Sequence, residues 1–595
     1  LSPIDPQEHG VEKIYHLSSG KIDTECKSLI YICKPKIQYM KWIAEHIHAH
    51  TNANIKVEYS LFFVPRRTMI CEKTLEDAGV IGEITLKEYH LDIVPLEDDL
   101  LSLELDNSFR ELFLEGDTSS MYSIAKSVMK LQTIFGIIPR IVGKGHCARA
   151  LADLLLRMRR ELVANAEDDA ASARIFPATS DIDSLIVIDR TVDMITPMCT
   201  QLTYEGLIDE VYGIKSSFVE LDPAIIGPSS STPAGTGTPT SSQAPIKRKK
   251  VPLNESDKLY SQLRNLNFAV VGGLLNQVAR RIRGGYEERY QATTVSQIRD
   301  FVGKLGGLQA EHQSLHLHTG VTEEIRKFTM DSEFNYMLEV QQNFVAGILD
   351  KRHVDYIEEL IDKQAPLHQM LRLLCLHSLV DGGLKPKYYD TFRREIVQTY
   401  GYKHTLTLQN LAKTGLLRRQ DNPPRNPYPQ IRNSLRLIVD DVNEHTPNDI
   451  SYVYSGYAPI SVRLVQAACQ KSLGGPGSAT SGAKASSAAQ GATVPTVGWK
   501  GWEEPLRLLP GLTFEEVQRT SDPRIFANKT RNQPRTTLVL FLGGCTYTEV
   551  SALRFLSQQQ EGQREYIVLT TQMINGTTLL DSMTEKVERA SAGAA

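Results

Sequence analysis

Hydrophobic and polar positions follow two different patterns along the chain. From Lys27 to about Ile188, short β-branched and apolar runs alternate with amphipathic stretches. The runs predicted to be strands, each ending at Pro, Gly or Asp, are residues 28–32, 59–64, 91–94, 138–142 and 185–188. Helical spacing predicts helices over residues 119–135 and 148–161. Strands that alternate with helices in this way indicate parallel sheets with crossover helices.

The same α/β pattern returns near the end of the chain. Residues 537–542 form an all-apolar run that predicts a strand, and Gly543-Gly544 predicts a tight turn after it. Residues 546–558 have helical spacing, with Thr546 and Glu549 placed for a capping box at the start. A further strand is predicted over residues 566–570.

The middle of the chain, from about Glu255 to Leu417, has a different pattern. It is nearly all helical spacing with Gly or Pro breaks, and it contains no convincing strand. We therefore predict a helical domain inserted into an α/β domain whose two halves lie on either side of it.

Three segments have the composition of connectors. The chain has 595 residues, enough for about three or four domains. Residues 164–173 are rich in Ala and Asp, residues 227–250 in Ser, Thr, Pro and Gly, and residues 474–498 in Gly, Ser and Ala. The two long segments cannot bury enough apolar surface to offset their ordering entropy, so both are predicted to be flexible. The basic run Lys247-Arg248-Lys249-Lys250 is interpreted as a solvated linker end, with a nuclear address or a lipid-facing patch as alternatives.

Charge, hydropathy and cysteine placement narrow the class of protein. The formal charge of −4 argues against a dedicated nucleic-acid binder, which needs a basic excess. The sequence has no apolar window long enough for a transmembrane helix and no signal peptide. It begins at Leu1 without an initiator Met, so we expect residues before Leu1 to be missing. The 8 cysteines are scattered, without a C-x-x-C pair, which predicts buried free thiols in a reducing compartment such as the cytosol.

Candidate chemistry was sought at the turns that follow strands. Neither a phosphate-loop motif nor a dinucleotide fingerprint is present, but Gly143-Lys144-Gly145 and Gly543-Gly544 could each offer backbone N–H groups to an anion. Ordinary strand-to-helix turns use glycine in the same way. His46 and His50 share one helical face at a zinc-binding spacing, although a polar helix end explains them equally.

A third candidate is the polar run that follows the predicted strand at 185–188. Asp189 and Asp193 flank Arg190 there, and carboxylates at the end of a strand are a common catalytic arrangement. A structural ion pair is the alternative and the favoured interpretation, because no histidine, lysine or metal cluster is close by in sequence.

Long stretches of the sequence resemble a known family. The run LIVIDRTVDMITP at 185–197, continued by QLTYEGLIDE at 201–210, resembles the signature of the SM proteins (Sec-one/Munc-eighteen-like), which are cytosolic regulators of SNARE-driven membrane fusion. FVGKL at 301–305 through LHLHT at 315–319 looks like that family's helical hairpin. YVYSGYAPISVR at 452–463 resembles the segment that re-enters its second domain. The resemblance assigns a structural role to the residues that match the family signature. They are Asp189, Arg190, Asp193, Pro197, Tyr204, Glu205, Tyr457 and Arg463.

The resemblance implies an arch of three domains, in which domain 2 is split by a helical domain 3. Domain 1 would span 1–96 and the first part of domain 2 would span 97–222. A flexible linker at 223–250 would lead to domain 3a at 251–365, which carries the hairpin, and to domain 3b at 366–424. The second part of domain 2, at 425–595, would carry the flexible insert 474–498. Residues 203–214 and 452–463 are most similar to the branch called vacuolar protein sorting thirty-three.

The hairpin of domain 3a is the expected site for SNARE motifs, which are amphipathic segments with apolar residues every three or four positions. One helix would include residues 295–308 and a returning helix residues 315–328, with Gly306-Gly307 at the bend where the family often has Pro. The predicted residues are Val295, Ile298, Phe301, Val302, Leu305, Leu308, Leu315 and His316. Packing of this stripe into the core of its own domain is the open alternative.

A second surface is predicted from the proline-rich stretch 422–431. Four prolines disfavour a helix or a central strand, so the stretch should be exposed, with Tyr428 and Ile431 as apolar anchors. Arg418, Arg419 and Arg425 would form a charged rim. The resemblance implies that this region binds the vacuolar protein sorting sixteen subunit. The alternative is that Tyr428 covers a domain junction.

The function implied is a non-enzymatic template for SNARE assembly. The expected partners are Qa and R SNAREs and, through vacuolar protein sorting sixteen, the HOPS and CORVET tethering complexes. No cofactor, no metal, no nucleic acid, no direct membrane insertion and no obligate homo-oligomer are expected. The expected location is the cytoplasm, peripherally at vacuolar, lysosomal and late endosomal membranes. A nucleotide-binding hydrolase-like regulator and a purely structural subunit remain the alternatives.

Overall fold

The computed structural model describes residues 10–20, 22, 26–165, 175–177, 179–226, 248–291, 295–423, 425–469, 497–518, 535–559 and 563–585. Contacts divide the chain into two compact units, Leu1–Val94 and Pro95–Ala595. The finer domain boundaries given above stay predictions.

The first unit contains a small parallel sheet. Its elements are β1 (Ser28–Cys33), α1 (Ile37–Asn52), β2 (Glu58–Phe63), α2 (Met69–Asp77), a short turn Ile81–Glu83 and β3 (Ile84–Glu88). The strands lie in the order β1-β2-β3, and both pairs are parallel. Alternate strand residues, including Tyr31, Leu61 and Phe63, pack with Met40 and Ile47 of α1 in one core. The core therefore lies on the face of the sheet that α1 covers.

The second unit begins with the elements that precede the helical insertion. They are β4 (Val94–Glu97), β5 (Leu100–Ser102), the turn Arg110–Glu115, α3 (Ser119–Phe135), β6 (Arg140–Lys144), α4 (His146–Ala164), β7 (Ile182–Asp189), the turn Arg190–Val192, α5 (Ile195–Met198), α6 (Tyr204–Val211), β8 (Phe218–Leu221), α7 (Pro223–Ile226) and β9 (Lys249–Pro252).

Helices alone follow, over the part of the chain predicted to be all-α. They are α8 (Lys258–Leu263), α9 (Phe268–Gln291), α10 (Val295–Thr329), α11 (Ser332–Val345), α12 (Lys351–Asp362), α13 (Leu367–Val380), α14 (Pro386–Tyr400) and α15 (His404–Thr414).

The α/β elements then resume. They are α16 (Tyr428–Ser434), the turn Ile450–Tyr454, α17 (Ile460–Cys469), α18 (Glu503–Leu508), β10 (Thr513–Val517), β11 (Arg535–Leu542), α19 (Tyr547–Gln559), β12 (Arg564–Thr570) and α20 (Gly576–Met583).

One sheet draws its strands from both sides of the insertion. Its order is β10-β6-β7-β11-β12-β5-β4. From β6 to β5 the neighbours are parallel, and β10 runs antiparallel to β6. The neighbouring strands β7 and β11 lie on either side of the helical insertion in sequence, so their pairing joins the two halves of the α/β domain in one sheet. The predicted fold class, α/β with a large inserted all-α segment, is confirmed.

Most predicted elements of the α/β layers are present with small shifts at their ends. The helix predicted over residues 119–135 has those bounds, and the Thr546/Glu549 capping box forms, with the Thr546 N–H donating to Glu549 Oε2 at 2.9 Å and the Glu549 N–H to Thr546 Oγ1 at 3.2 Å. The strand predicted over residues 91–94 is misplaced, because residues 89–93 are not in a strand and the two nearest strands are β3, Ile84–Glu88, and β4, which begins at Val94. β3 exposes Thr85, Lys87 and Glu88. These polar residues weaken the hydrophobic pattern by which a strand is predicted, so β3 was missed.

The predicted linker 223–250 is structured at both ends. Pro223–Ile226 is α7, and Lys249 and Lys250 belong to β9, whose residues pair antiparallel with β8. The interpretation of Lys249 and Lys250 as part of a flexible connector is therefore wrong, because they close a two-stranded ribbon. Residues 166–174, 227–247 and 470–496, on which most of the other connector predictions fall, lie outside the described residues.

Two predictions from composition can be compared with the structure. All 8 cysteines are free thiols, and all except Cys26 and Cys147 are buried. Among the helices that the structure describes, none combines the length and the apolar character that crossing a membrane would require.

Candidate binding surfaces

The helical hairpin is formed by α9 and α10, and residues 292–294 between them lie outside the described residues. The predicted bend at Gly306-Gly307 is wrong, because α10 runs as one helix from Val295 to Thr329. A Cβ added at either glycine would meet nothing within 4 Å. The glycines therefore lack a packing constraint, and the backbone hydrogen bonds of the helix continue through them.

A buried polar cluster fixes the root of the hairpin, the part of α10 from Ser314 to Ile325. His318 Nδ1 lies 2.9 Å from the Tyr204 hydroxyl, and its Nε2 lies 3.1 Å from Asp257 Oδ2. Because an ionised carboxylate only accepts hydrogen bonds, we assign the proton to Nε2, which leaves Nδ1 to accept from Tyr204. The imidazole also stacks on Tyr260 at 5.8 Å.

Asp257 links this cluster to the start of α8. Its carboxylate accepts hydrogen bonds from the N–H groups of Leu259 and Tyr260, and from Ser314 Oγ at 2.7 Å. Burial acts to raise the pKa of Asp257, but hydrogen bonds from His318 and Ser314 hold it below the ordinary value. The ionised side chain thus caps one helix and holds another.

The outer part of α10, N-terminal to Ser314, is held mainly by its neighbour α9. The apolar stripe of α9, Val271, Leu275, Val278 and Ile282, is buried. Near the outer end, Arg281 pairs with Glu311 at 3.1 Å and the Tyr286 ring meets the edge of His312 at 6.4 Å.

The predicted SNARE-binding residues divide into three groups. Val295, Ile298, Phe301 and Val302 lie in the helix, but their side chains are outside the part of the structure that is described. Leu305 and Leu308 are half-buried, and Leu315 packs against the main core. His316 is exposed and lines a cavity of about 440 Å³ with Ile225 and Glu323. The role of all these residues stays a proposal, considered below.

Arg190 forms the centre of a fully buried ion-pair network. Its Nη1 and Nη2 atoms donate to Glu549 Oε2 and Oε1 at 2.8 and 2.9 Å, and its Nε donates to the Asp193 carbonyl at 2.8 Å. The Asp193 carboxylate accepts from the N–H groups of Thr196 and Ser461, both at 3.0 Å. Burial acts to raise the pKa of Glu549, and Arg190 holds it below the ordinary value. Three distant parts of the chain meet here.

Asp189 caps the helix that follows the Gly143-Lys144-Gly145 turn. Its carboxylate accepts the N–H groups of Cys147 and Ala148 at 2.9 and 2.8 Å. Burial raises the pKa of Asp189 to about 7, against these N–H groups, which act to lower it. The amides that a phosphate would need already donate to a carboxylate of the protein itself, so this turn offers no site for a nucleotide.

The other residues of the family signature are also buried and hydrogen-bonded. Glu205 accepts from the Tyr260 hydroxyl at 2.7 Å, and the Tyr457 hydroxyl lies 3.2 Å from Thr196 Oγ1. Arg463 pairs with both carboxylate oxygens of Asp449, at 2.9 and 2.8 Å. Pro197 lies in α5 and is buried. These contacts stabilise the junction around β7, α5 and α17.

His46 and His50 are buried on α1 and contact the polypeptide itself. His46 Nε2 lies 2.9 Å from the Ser18 carbonyl, and His50 Nε2 lies 2.8 Å from the Ile22 carbonyl. Burial, the largest effect, lowers the pKa of His46. The Nδ1 atoms are also engaged, 3.4 Å from the Tyr31 hydroxyl for His46 and 3.0 Å from the Tyr59 hydroxyl for His50, so both ring nitrogens of each histidine contact the protein itself.

Glu97, Asp99 and Glu255 form a group of carboxylates close enough to hold a cation, within the described part of the chain. Arginines already neutralise it, since Arg264 pairs with Glu97 and with Glu255 at 2.9 Å, and Arg554 pairs with Asp99 at 2.7 Å. Burial raises the pKa of Glu97 to about 7. The cluster is therefore a structural ion-pair network.

A second candidate surface is a cleft of about 600 Å³, here called the arginine cleft. Leu379, Ala412, Leu417, Leu508, Leu509 and Pro510 form its apolar wall, and Arg418, Arg419 and Arg425 are exposed around it. Arg418 Nε donates to the Gly415 carbonyl at 3.1 Å, and Arg419 pairs with Asp390 at 3.0 Å on the surface.

The prediction that Tyr428 and Ile431 are exposed on a loop is wrong. Both lie in the short helix α16 and are buried, with 3% and 5% of their surface exposed. The Tyr428 hydroxyl donates to the Val345 carbonyl at 2.6 Å. Pro427 and Pro429 are tolerated because the first turn of a helix needs no N–H from these positions. Tyr428→Asp would therefore bury a carboxylate, and it cannot separate binding from folding.

Some important contacts were missed from the sequence. Arg372, on the helix α13, forms a buried two-point ion pair with Glu210 at 2.7 and 2.9 Å and donates to the Met198 and Cys199 carbonyls. An arginine inside the apolar run LRLLCLHSLV was the available signal, since such a residue needs a buried partner. The partner could not be named, because it lies far away in sequence.

Comparisons with known proteins agree with this architecture. The model of the Sec1 family matches residues 4–582. The chain is 42% identical over 585 residues to "Vacuolar protein sorting-associated protein 33A" of Rattus norvegicus, with 98% of this chain and 90% of that protein covered. It is 37% identical over 589 residues to the vacuolar protein-sorting-associated protein 33 homolog of Arabidopsis thaliana, with 98% and 90% covered.

Two solved structures share the fold. One is the SM protein Vps45 in complex with the Qa SNARE Tlg2, with a TM-score of 0.55, 14% identity, and 93% of this chain and 85% of that chain covered. The other is Sly1p in complex with an N-terminal peptide of Sed5p, with a TM-score of 0.54, 15% identity, and 94% and 84% covered.

Proposed function

The chain belongs to the Sec1 family, in its vacuolar protein sorting 33 branch, and on that premise we propose that it binds SNARE motifs and templates their assembly. Relatives named for vacuolar protein sorting, and SM proteins solved with SNARE partners, support the proposal. The protein would act without catalysis, as a surface on which other chains become ordered.

The observation that carries the proposal is the long helix α10, which is anchored at its root and is exposed or half-buried at residues 305–313. A SNARE motif presents an apolar seam at heptad spacing, and a facing helix can accept such a seam. The exposed positions Gln309, Ala310 and Gln313 and the half-buried Leu305 and Leu308 follow one another along this half. The predicted contacts Val295, Ile298, Phe301 and Val302 would extend the same track, with Leu315 and His316 at its inner end.

Templating would follow from effective concentration. Four-helix assembly from separate chains requires several segments to meet in register, which makes nucleation slow. Two segments aligned on one scaffold meet at an effective concentration in the millimolar range. The remaining segments then add to a pair that is already in register, so nucleation is faster. Qa and R SNARE motifs are the pair that we propose for this track.

We further propose that the chain works within a HOPS- or CORVET-type tethering complex. The arginine cleft would receive the vacuolar protein sorting sixteen subunit, with Arg418 and Arg425 contacting acidic groups of that partner and with Tyr428 and Ile431 supporting the wall from inside. The protein would then be cytoplasmic and peripherally associated with vacuolar, lysosomal and late endosomal membranes.

The test is a pull-down of the purified protein against a panel of isolated Qa and R SNARE motifs. The double variant Val302→Asp/Leu305→Asp should reduce binding at least roughly tenfold, because desolvating a carboxylate against an apolar seam is costly. Arg280→Glu, on the exposed face of α9, is the matched charge reversal and should leave the binding unchanged. Equal retention of SNARE motifs by wild type and the double variant would reject the hairpin as the site.

A purely structural role makes a different prediction. In that case the same double variant, shown to be folded by circular dichroism, would support SNARE-dependent fusion at the wild-type rate. Slower fusion together with an intact tethering complex would instead support the templating role.

A further inference from the structure

The small sheet of the first unit brings three loops to one edge. Its strands are parallel, and their last residues lie side by side, Cys33 opposite Phe63 and Phe63 opposite Glu88. Hydrogen bonds continue just past the strands, since the Val64 N–H donates to the Cys33 carbonyl at 3.0 Å and the Tyr89 N–H to the Phe63 carbonyl at 2.9 Å. The segments that follow β1, β2 and β3 therefore leave the sheet together. This group, here called the loop edge, comprises residues 34–37, 64–70 and 89–91.

Contacts between the segments hold the loop edge in one conformation. His90 Nδ1 lies 3.1 Å from the Pro65 carbonyl oxygen, and the Arg67 N–H donates to Glu88 Oε1 at 3.0 Å. Arg67 Nε also lies 3.3 Å from Glu72 Oε1 and 3.6 Å from Glu88 Oε1. A partner that binds here would not have to order this backbone first, which lowers the cost of binding.

The loop edge carries the most exposed large apolar side chain that the structure describes. Met69, the first residue of α2, has 88% of its surface exposed, and the next residue, Ile70, has 59%. Ile37, the first residue of α1, and Tyr89, which follows β3, are also exposed. Cys71, one position further along α2, is fully buried in the core. The apolar tips therefore lie outside the packed face of the helix, and an exposed apolar cluster of this kind indicates a binding surface.

The same part of the first unit is basic. Residues 34–41 and 64–71 contain no acid, and their basic side chains are Lys34, Lys36, Lys41, Arg66 and Arg67. These five outnumber the acids at the loop edge, which are Glu72, Glu88 and Asp92, although the chain as a whole has a net charge of −4. Lys36, Lys41 and Arg66 are exposed. The local charge is thus opposite to that of the whole chain and would attract an anionic surface.

Apolar tips beside basic side chains fit the surface of an anionic membrane. A protein partner would have to supply a pocket shaped for Met69, whereas the headgroup region of a bilayer accepts any apolar side chain. Tyrosine, here Tyr89, is favoured at this depth. Lysine and arginine can place their stems along apolar groups while their charged ends contact lipid phosphates.

We propose that the loop edge binds the surface of an anionic lipid membrane, with Met69 and Ile70 in the headgroup region and with Arg66 and Lys36 at lipid phosphates. The proposal goes beyond the proposed function, because it gives the chain a membrane contact of its own that needs neither a SNARE motif nor a tethering complex. Only side chains would enter the headgroup region, so no helix or strand inserts into the bilayer.

The experiment is flotation of the full chain with vesicles of phosphatidylcholine that contain about one quarter phosphatidylserine. The wild-type chain should float with these vesicles and not with pure phosphatidylcholine, and added salt should weaken the binding because it screens the charges. Met69→Asp should reduce the bound fraction roughly tenfold, because the apolar contact is lost. Arg66→Glu should reduce it at least roughly fivefold, because an attraction becomes a repulsion.

Matched controls separate the loop edge from the rest of the surface. Met330→Asp makes the same change at a methionine of the second unit that is 66% exposed, and Arg280→Glu makes the same charge reversal on the exposed face of α9. Both should float like wild type. Met69→Asp should keep the circular dichroism and Tm of wild type, since an acid in the first turn of a helix is favourable.

Three results would overturn the proposal. The first is a wild-type chain that does not float with the anionic vesicles. The second is equal flotation of wild type and Met69→Asp, which would leave the apolar tips without a role. The third is a wild-type chain that fails to float while Met69→Asp loses a SNARE motif in the pull-down, which would assign the loop edge to a protein partner. None of these results decides whether the hairpin binds SNARE motifs, which the variants on α10 test separately.

Discussion

The root and the outer half of α10 belong to one continuous helix, yet they are held by different forces. At the root, His318, Val321 and Ile325 are buried, and polar side chains from two other helices bond to the imidazole. In the outer half, Gly306 and Gly307 have open space around them, and the neighbouring positions are exposed or half-buried. One end is fixed by tertiary contacts, whereas the other depends on its own helical hydrogen bonds and on α9.

The difference suggests how a binding track can be both stable and available. Contacts at the root involve the buried face of the helix and leave exposed residues such as His316 accessible. The described residues 305–313 are exposed or half-buried, so a partner can reach them.

Truncation of the same residue type on the buried and on the exposed face of α10 should give very different losses of stability. His318→Ala would remove a buried ring and its hydrogen bonds to Tyr204 and Asp257, at a cost of about 4 kcal/mol in the free energy of unfolding. His316→Ala, two residues earlier and exposed, should stay within about 0.5 kcal/mol of wild type. Urea unfolding of both variants measures the contrast, and equal losses would contradict a polar anchor at the root.

Acid should destabilise the interior of the insertion through another buried histidine, His377 on α13. Burial lowers the pKa of His377 from 6.5 to about 4. A lowered folded pKa means that its contribution to stability is complete above pH 6.5 and is lost as the pH falls through about 4. The loss is about 3 kcal/mol.

The control for this pH effect is His377→Phe, which keeps a ring against Phe344. Urea unfolding at several values between pH 7 and pH 4 should show a smaller loss for the variant than for wild type. Parallel pH profiles for the two proteins would show that His377 is not the group responsible.

Alanine at the two outer glycines should stabilise the exposed half. An interior helical Gly costs about 1 kcal/mol relative to Ala, and the added Cβ atoms would meet nothing within 4 Å. Gly306→Ala/Gly307→Ala should therefore slow amide hydrogen exchange in the outer part of α10 and leave exchange at the root unchanged. Faster exchange would mean that the outer half is not helical in solution.

The smallest effect should come from the ion pair between the two hairpin helices. Arg281 and Glu311 are 60% and 45% exposed, so solvent screens them and their coupling should stay below about 0.5 kcal/mol. A double-mutant cycle with Arg281→Gln and Glu311→Gln measures it. A coupling above 1 kcal/mol would show that charge, in addition to packing, holds α9 to α10.

The sequence predicted local features well where one short stretch determines them. The helix Ser119–Phe135 and the Thr546/Glu549 capping box depend on residues a few positions apart, and both are present. The interruption of the α/β layers was also predicted, because the hydrophobic period changes from strand to helix and back over long segments.

Features that depend on distant contacts were predicted less well. The bend at Gly306-Gly307 was expected because the resemblance places the family's bend there, yet in the structure the helix continues to a root that holds it. Tyr428 was expected to be exposed because of nearby prolines. In the structure it is buried, and its hydroxyl donates a hydrogen bond to the carbonyl of Val345 on another helix. Neither the root cluster nor that carbonyl is visible in the local pattern.

The β8–β9 ribbon has a consequence for how the chain can vary. Leu221 and Lys249 lie opposite each other in it, so the two ends of the intervening stretch are already together before the helices begin. Each doubling of such a loop costs only about 0.6 kcal/mol in closure entropy. An insertion between Ile226 and Arg248 should therefore change the free energy of unfolding little, whereas replacement of α7 should cost more, because Ile225 and Ile226 pack against the main core.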